Sequence, residues 1–130
     1  MDIYPDNPCV GFASPAEDFK ESGLDLNRLL IHRPFSTFLM RVSGECMQEA
    51  GIDSGDILIV DRSLDPASGE VVVAVLHGDM IVRRLYANRG RVWLLPANPN
   101  YSSFEVTRES DFDIWGVVTY AISPFRYDRF

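Results

Sequence analysis

The feature that most constrains the fold is a series of short apolar runs that begins near Phe38 and continues almost to the C-terminus. In these runs apolar residues alternate with polar ones or follow one another for a few positions, which is typical of β-strands. Turn-forming residues separate several runs, as at His77-Gly78 and Arg89-Gly90. We therefore predict an all-β domain, a curled sheet or partly closed barrel. The predicted strands are 37–43, 56–61, 70–76, 79–86, 91–96, 103–107 and 112–121.

The beginning of the chain has a different composition, with frequent Asp, Glu and Ser and with prolines that interrupt regular structure. We predict a flexible N-terminal arm over residues 1–24, a β domain over 25–123 and a C-terminal tail over 124–130. A short helix is predicted at the start of the domain. Asp25 would be its N-cap, and three leucines would form one apolar face; they are Leu26, Leu29 and Leu30.

Composition excludes several classes of function. The chain has 130 residues and a net charge of −7, which suits one acidic domain and argues against direct contact with nucleic acid. No apolar run is long enough to span a membrane, and we expect a cytoplasmic protein. The two cysteines and two histidines match no metal-binding spacing. We therefore expect neither a metal nor another cofactor.

Two segments contain residues that could take part in a reaction. In the first, Ser43-Gly44-Glu45-Cys46-Met47, a turn of small residues leads to a side chain that can act as a nucleophile. The second is the strand-like run from Asp79 to Leu85, which contains Arg83 and Arg84.

These segments resemble the motifs S-G-[DE]-S-M and x-V-K-x-L of the UmuD/LexA family of self-cleaving proteins (peptidase S24). The resemblance extends from about Gly11 to Tyr120 and is closer to UmuD than to LexA, since no helix-turn-helix precedes the arm. It implies an antiparallel sheet and self-cleavage of a bond whose counterpart here is Val10-Gly11. It also places Cys46 at the position of the nucleophilic serine and Arg83 at the position of the lysine general base.

The two altered positions change the expected chemistry. An arginine stays protonated in proteins and cannot accept the nucleophile's proton, whereas a cysteine reacts as its thiolate. Three interpretations of Cys46 stay open, namely a buried structural cysteine, a slow residual nucleophile and a redox-active or modified thiol. Arg83 would lie over the former pocket or pair with an acidic neighbour.

The resemblance implies a UmuD-like accessory subunit of a Y-family translesion DNA polymerase in the SOS response to DNA damage, deficient in self-cleavage. The partners it implies are a second copy of the chain, the polymerase, the recombinase filament and the replicative clamp. Strand 112–121 is the predicted dimer surface, through Ile114, Val117 and Val118. One alternative is an active or slow autopeptidase that cleaves Val10-Gly11 on a recombinase–DNA filament. Another is a regulatory pseudoenzyme that forms heterodimers with intact family members.

Overall fold

The structure is a computed structural model that describes residues 25–127. The predicted arm, with the Val10-Gly11 bond, and residues 128–130 lie outside the described residues. The described part contains one short helix, α1 (Leu26–Leu30), and 3₁₀ turns at Pro34–Ser36 and Gln48–Ala50. Its seven strands are β1 (Thr37–Arg41), β2 (Ile57–Asp61), β3 (Val71–Leu76), β4 (Asp79–Asn88), β5 (Arg91–Leu95), β6 (Phe104–Val106) and β7 (Phe112–Ile122).

Helix α1 begins where the sequence predicted. The side chain of Asp25 accepts a hydrogen bond of 3.4 Å from the backbone N–H of Arg28, which confirms the predicted N-cap. The helix buries none of its residues within the described part of the chain. The exposed fractions of Leu26 and Leu29 are 59% and 43%, so their predicted apolar face is largely uncovered there.

The seven strands form one antiparallel sheet in the order β1-β2-β7-β3-β4-β5-β6. This confirms the predicted all-β fold, and each predicted strand matches an observed one to within a few residues. The sheet is open because β1 and β6 are its two edges. Strand β7 lies near the centre, although it is the last strand in the chain.

The central strand β7 is bent by irregularities in its pairing with both neighbours. Its register shifts opposite Ile59/Val60 in β2 and opposite Val73/Ala74 in β3. Such bulges increase the local twist and curl a sheet. Gly116 lies between these two shifts, and a Cβ atom there would stand 2.6 Å from Cγ1 of Val60. A larger residue at position 116 would therefore separate β7 from β2.

Two hydrophobic clusters lie on opposite faces of the sheet, since Val72 and Val73 are adjacent in β3 and belong to different clusters. The first cluster contains Val42, Cys46, Met47, Ile52, Leu58, Val60 and Val73. The second contains Val72, Ala74, Leu85, Leu94 and Val117.

The packing bears on the predicted dimer surface on strand 112–121. Val117 is buried in the second cluster, whereas Ile114 and Val118 are half-buried and pack against the second and the first cluster. Strand β7 pairs with β3 over residues 112–117 and with β2 over residues 117–122, so each half of the strand is paired on one side. The prediction is wrong for Val117, whose side chain is enclosed by its own domain, and the rest of the surface stays a prediction. Among the helices of the described residues, none has the length and apolar character needed to cross a membrane.

Candidate active site

Cys46 lies in a loop between β1 and β2 that is closed at its base by backbone hydrogen bonds. The N–H of Val42 donates to the carbonyl of Asp56 at 2.9 Å, and the N–H of Gly55 donates to that of Val42 at 2.8 Å. Gly44 turns the chain with a φ of 98°, a conformation that favours glycine. This is the small-residue turn that the sequence predicted before Cys46.

The loop is attached to the segment that follows β5. The N–H of Ala97 donates to the carbonyl of Cys46, and the N–H of Glu49 donates to the carbonyl of Ala97, both at 2.8 Å. Asn98 adds a side-chain contact, because its Nδ2 donates to the carbonyl of Glu45 at 2.8 Å. Its Oδ1 accepts a bond of 2.9 Å from the N–H of Asn100.

Asn98 is a residue that the sequence analysis did not single out. Its exposed fraction is 8%, and both ends of its amide are hydrogen-bonded, so it is a buried polar side chain with a structural task. That task is to hold the backbone next to Cys46. A pattern of residue types gives no such signal, because the partner residue lies far away in the sequence.

Cys46 and Arg83 meet at the carbonyl oxygen of Val82. The thiol of Cys46 contacts this oxygen at 3.5 Å, and Nη1 of Arg83 donates to it at 2.8 Å. Strand β5 pairs with β4 only from Arg84 onward, and the Cys46 loop continues the line of β5 through Ala97. The loop therefore lies beside the part of β4 that β5 leaves unpaired.

Both contacts at Val82 place a donor against a carbonyl, so neither Cys46 nor Arg83 accepts a proton from the other. The guanidinium carbon of Arg83 also lies 6.0 Å from the centre of the Tyr101 ring, at the outer limit of a cation–π contact. Within residues 25–127 Arg83 forms no ion pair, because the two salt bridges there join Arg33 to Asp61 and Arg91 to Glu105. Arg83 is thus not neutralised by a nearby carboxylate in the described part of the chain.

A cavity of about 180 Å³ lies beside the thiol. Most of its walls are apolar, and the sulfur is at its inner end, since only 9% of Cys46 is exposed. Arg83 is not among the lining residues; Arg41 is the charged one, and the others include Met40, Val42, Ser43, Met80 and Val82. The described residues contain no cluster of His, Cys, Asp or Glu suited to a metal ion. The cavity suits a small apolar segment of polypeptide rather than a charged ligand.

Comparison with known proteins identifies the family of this chain. A family model described as "Peptidase S24-like" matches residues 2–119. The chain belongs to the peptidase S24-like family. The S24 assignment confirms the resemblance that the two motifs indicated.

Named relatives support the same S24 assignment. Protein ImpA of Salmonella typhimurium is 41% identical over 124 residues, which cover 95% of this chain and 84% of ImpA. Protein MucA of Escherichia coli is 37% identical over 121 residues, with coverage of 92% and 82%. The LexA repressor of Acidithiobacillus ferrooxidans is 42% identical over 106 residues, which cover 79% of this chain and 51% of the repressor.

The predicted site residues have different outcomes. The structure brings Cys46 and Arg83 to the same carbonyl group, although they lie in different parts of the sequence. The predicted cleavage bond, Val10-Gly11, lies outside the described residues. The assignment of position 46 to the nucleophile and of position 83 to the base stays a prediction.

Proposed function

We propose that this chain is a UmuD-like accessory subunit of a Y-family translesion DNA polymerase in the SOS response, and that it does not cleave itself efficiently. Membership of the S24 family and similarity to ImpA and MucA over most of their length support the first part. The geometry around Cys46 supports the second.

The observation that carries the proposal is the shared acceptor at Val82. Hydrolysis by a side-chain nucleophile requires a nearby group that removes its proton near neutral pH. The thiol of Cys46 instead donates to a carbonyl, and the guanidinium of Arg83 donates to the same atom. An arginine cannot act as the base, because it stays protonated. Attack on a peptide bond would thus lack a side-chain proton acceptor, and even a thiolate would lack an acid for the departing amine, since a guanidinium does not give up its proton.

The partners in this proposal are those that the family resemblance implies. The chain forms a homodimer and contacts the polymerase, the recombinase filament and the replicative clamp through protein surfaces. A net charge of −7 is compatible with protein partners and unfavourable for direct binding to DNA. None of these contacts requires catalysis at Cys46.

The cleavage part is tested by intact-mass analysis of purified protein after incubation at alkaline pH, alone and with activated recombinase–DNA filament. We expect the chain to keep its full mass in both conditions. A species that begins at Gly11 would overturn this part and favour the alternative of a slow autopeptidase with Cys46 as nucleophile.

The partner part is tested by affinity capture from DNA-damaged cells of the native host, followed by mass spectrometry. Recovery of a Y-family polymerase is expected. Recovery of a repressor or an intact paralogue without any polymerase would contradict the accessory role and favour a regulatory pseudoenzyme that forms heterodimers.

A further inference from the structure

A larger cavity than the one beside Cys46 lies between the segment after α1 and strands β2 and β7. Its volume is about 380 Å³, against about 180 Å³ beside Cys46. Asp61 at the end of β2 lines it, whereas the preceding residue, Val60, packs in the cluster that contains Cys46. Because successive strand residues point to opposite faces, the two cavities belong to opposite sides of the sheet.

The carboxylate of Asp61 is buried, with only 4% of the residue exposed. Its Oδ1 accepts three hydrogen bonds, from Oγ of Ser36 at 2.9 Å and from the N–H and Oγ of Ser63 at 2.8 and 2.7 Å. These bonds join the turn before β1 to the turn after β2. One oxygen of the carboxylate therefore has a structural role.

The other oxygen, Oδ2, has a single contact, with Nη1 of Arg33 at 3.6 Å. That distance exceeds a charge-assisted hydrogen bond, which is about 2.7–2.9 Å long. The Arg33 side chain is 57% exposed, so it covers the carboxylate only loosely. No buried side-chain oxygen or nitrogen in the described residues lacks a hydrogen-bond partner. Oδ2 accepts no hydrogen bond, so it is accessible from the cavity.

The rest of the lining favours a cation that is attached to an apolar group. Glu70 adds a second carboxylate to the lining, and one of its oxygens accepts a hydrogen bond of 2.7 Å from the N–H of Ala67. Arg33 supplies one positive charge, and His32 and Tyr120 are the other titratable side chains. Apolar walls come from Leu30, Leu64 and Val117. The volume falls in the range of ligand pockets, about 300–1,000 Å³, and exceeds the space that one guanidinium needs.

We propose that this cavity binds a basic side chain, arginine or lysine, of a partner peptide that carries an apolar residue next to it. The cation takes the place of Arg33 at Oδ2 of Asp61 and forms the hydrogen bond of normal length that Arg33 does not form. The neighbouring apolar residue packs against Leu30 and Leu64. The site does not depend on Cys46 or on the proposed polymerase role.

The test is an NMR titration of the full chain with N-acetyl-leucyl-arginine amide. We expect saturable shifts of the backbone amides around Ser63 and Thr119. D61N weakens binding about tenfold or more, since the charge-assisted contact is lost. Asparagine keeps an oxygen acceptor for Ser36 and Ser63, so the variant should keep the fold, although with lower stability. R33A tightens binding, because it removes the resident cation.

Two further probes decide the chemistry without any variant. The same peptide with citrulline in place of arginine is a neutral match and should bind at least about tenfold more weakly. N-acetyl-glycyl-arginine amide, which keeps the guanidinium and the single charge, should also bind more weakly, because it lacks the apolar residue. Equal binding of the citrulline peptide, or an R33A variant with unchanged or weaker affinity, would refute the cation site. Equal binding of the glycyl peptide would refute the role of the apolar residue.

Discussion

The thiol of Cys46 and the guanidinium of Arg83 are directed at one atom, the carbonyl oxygen of Val82, at 3.5 and 2.8 Å. The two donor atoms are therefore no further apart than the sum of these distances. This bound places the two groups in one site, where a nucleophile and its base would have to lie. The identity of the two groups prevents that use, because both present hydrogens to the oxygen and arginine keeps its proton.

The first prediction concerns reversal of the two altered positions. The double variant C46S/R83K should cleave Val10-Gly11 at alkaline pH, because a lysine at this half-buried position can lose its charge and accept the serine proton. General-base catalysis contributes about 10²–10⁴-fold, so the double variant should exceed C46S by a factor in that range. The measurement is the rate at which the species beginning at Gly11 accumulates.

The single variants are the controls for this reversal. C46S keeps Arg83 and should stay intact. R83K is a conservative change, because lysine keeps the positive charge and the approximate length of the arginine side chain. If C46S/R83K stays intact under all conditions, positions 46 and 83 are not the nucleophile and base of this site. A C46S rate equal to that of the double variant would show that Arg83 is not what prevents cleavage.

The second prediction concerns Asn98, which holds the backbone of the Cys46 turn. N98D replaces the donor to the Glu45 carbonyl with an oxygen that repels it. Loss of a buried hydrogen bond costs about 1–3 kcal/mol, so local opening of the turn should rise about 5- to 150-fold. The measurement is the rate of Cys46 alkylation in a C9S background, where Cys46 is the remaining thiol.

The matched control is L94A, which removes a fully buried side chain from the second cluster, away from the turn. It should lower the free energy of unfolding by about 2–5 kcal/mol, at least as much as N98D. It should nevertheless increase alkylation less than N98D does. Equal acceleration by L94A would show that Asn98 acts only through global stability and does not position Cys46.

The local elements could be predicted because their causes are local. Alternation of apolar residues gave the strands, and glycines after His77 and Arg89 gave two hairpin turns. In both turns the two central residues have positive φ, for example 50° at His77 and 87° at Gly78. The start of the helix could be predicted from Asp25, because its side chain accepts a hydrogen bond from the first turn.

The long-range relationships could not be predicted, because no residue pattern encodes them. The bond from Asn98 to Glu45 depends on how the loop after β1 meets the end of β5. The central position of β7 depends on the order in which the strands pair, and that order cannot be predicted from the pattern of residues. For that reason Val117 was assigned to a dimer surface, although its side chain is buried in the second cluster.

The third prediction concerns the close approach of β7 and β2 at Gly116. In G116A the added Cβ would lie 2.6 Å from Cγ1 of Val60, so the strands or the valine must shift. Overpacking of this kind costs about 1–3 kcal/mol. The double variant G116A/V60A removes the clashing methyl groups and should lose less stability than the sum of the single variants. Chemical denaturation of the four proteins measures this; additive losses would contradict the clash.

The fourth prediction concerns the pH dependence that Asp61 gives to stability. Burial on its own would raise the pKa of Asp61, but hydrogen bonds from Ser63 and Ser36 and the charge of Arg33 outweigh it and lower that pKa below its ordinary value of 3.8. A carboxyl with a lowered pKa in the folded state stabilises the protein above its unfolded-state pKa. The contribution disappears as the pH falls through the folded-state pKa, where both states bind the proton.

The free energy of unfolding should therefore be higher in the native chain than in D61N by a constant amount from pH 5 to pH 8, and the gap should narrow below about pH 3.8. E105Q is the control, because Arg91 lowers the pKa of Glu105 in an exposed pair that solvent screens. The difference in free energy of unfolding between E105Q and the native chain should be smaller than the difference for D61N at every pH. A D61N gap that is absent at pH 7, or that widens in acid, would mean that the three hydrogen bonds at Oδ1 do not favour the charged form of Asp61. The lowered pKa would then be wrong, and the turns before β1 and after β2 would be held by packing rather than by this carboxylate.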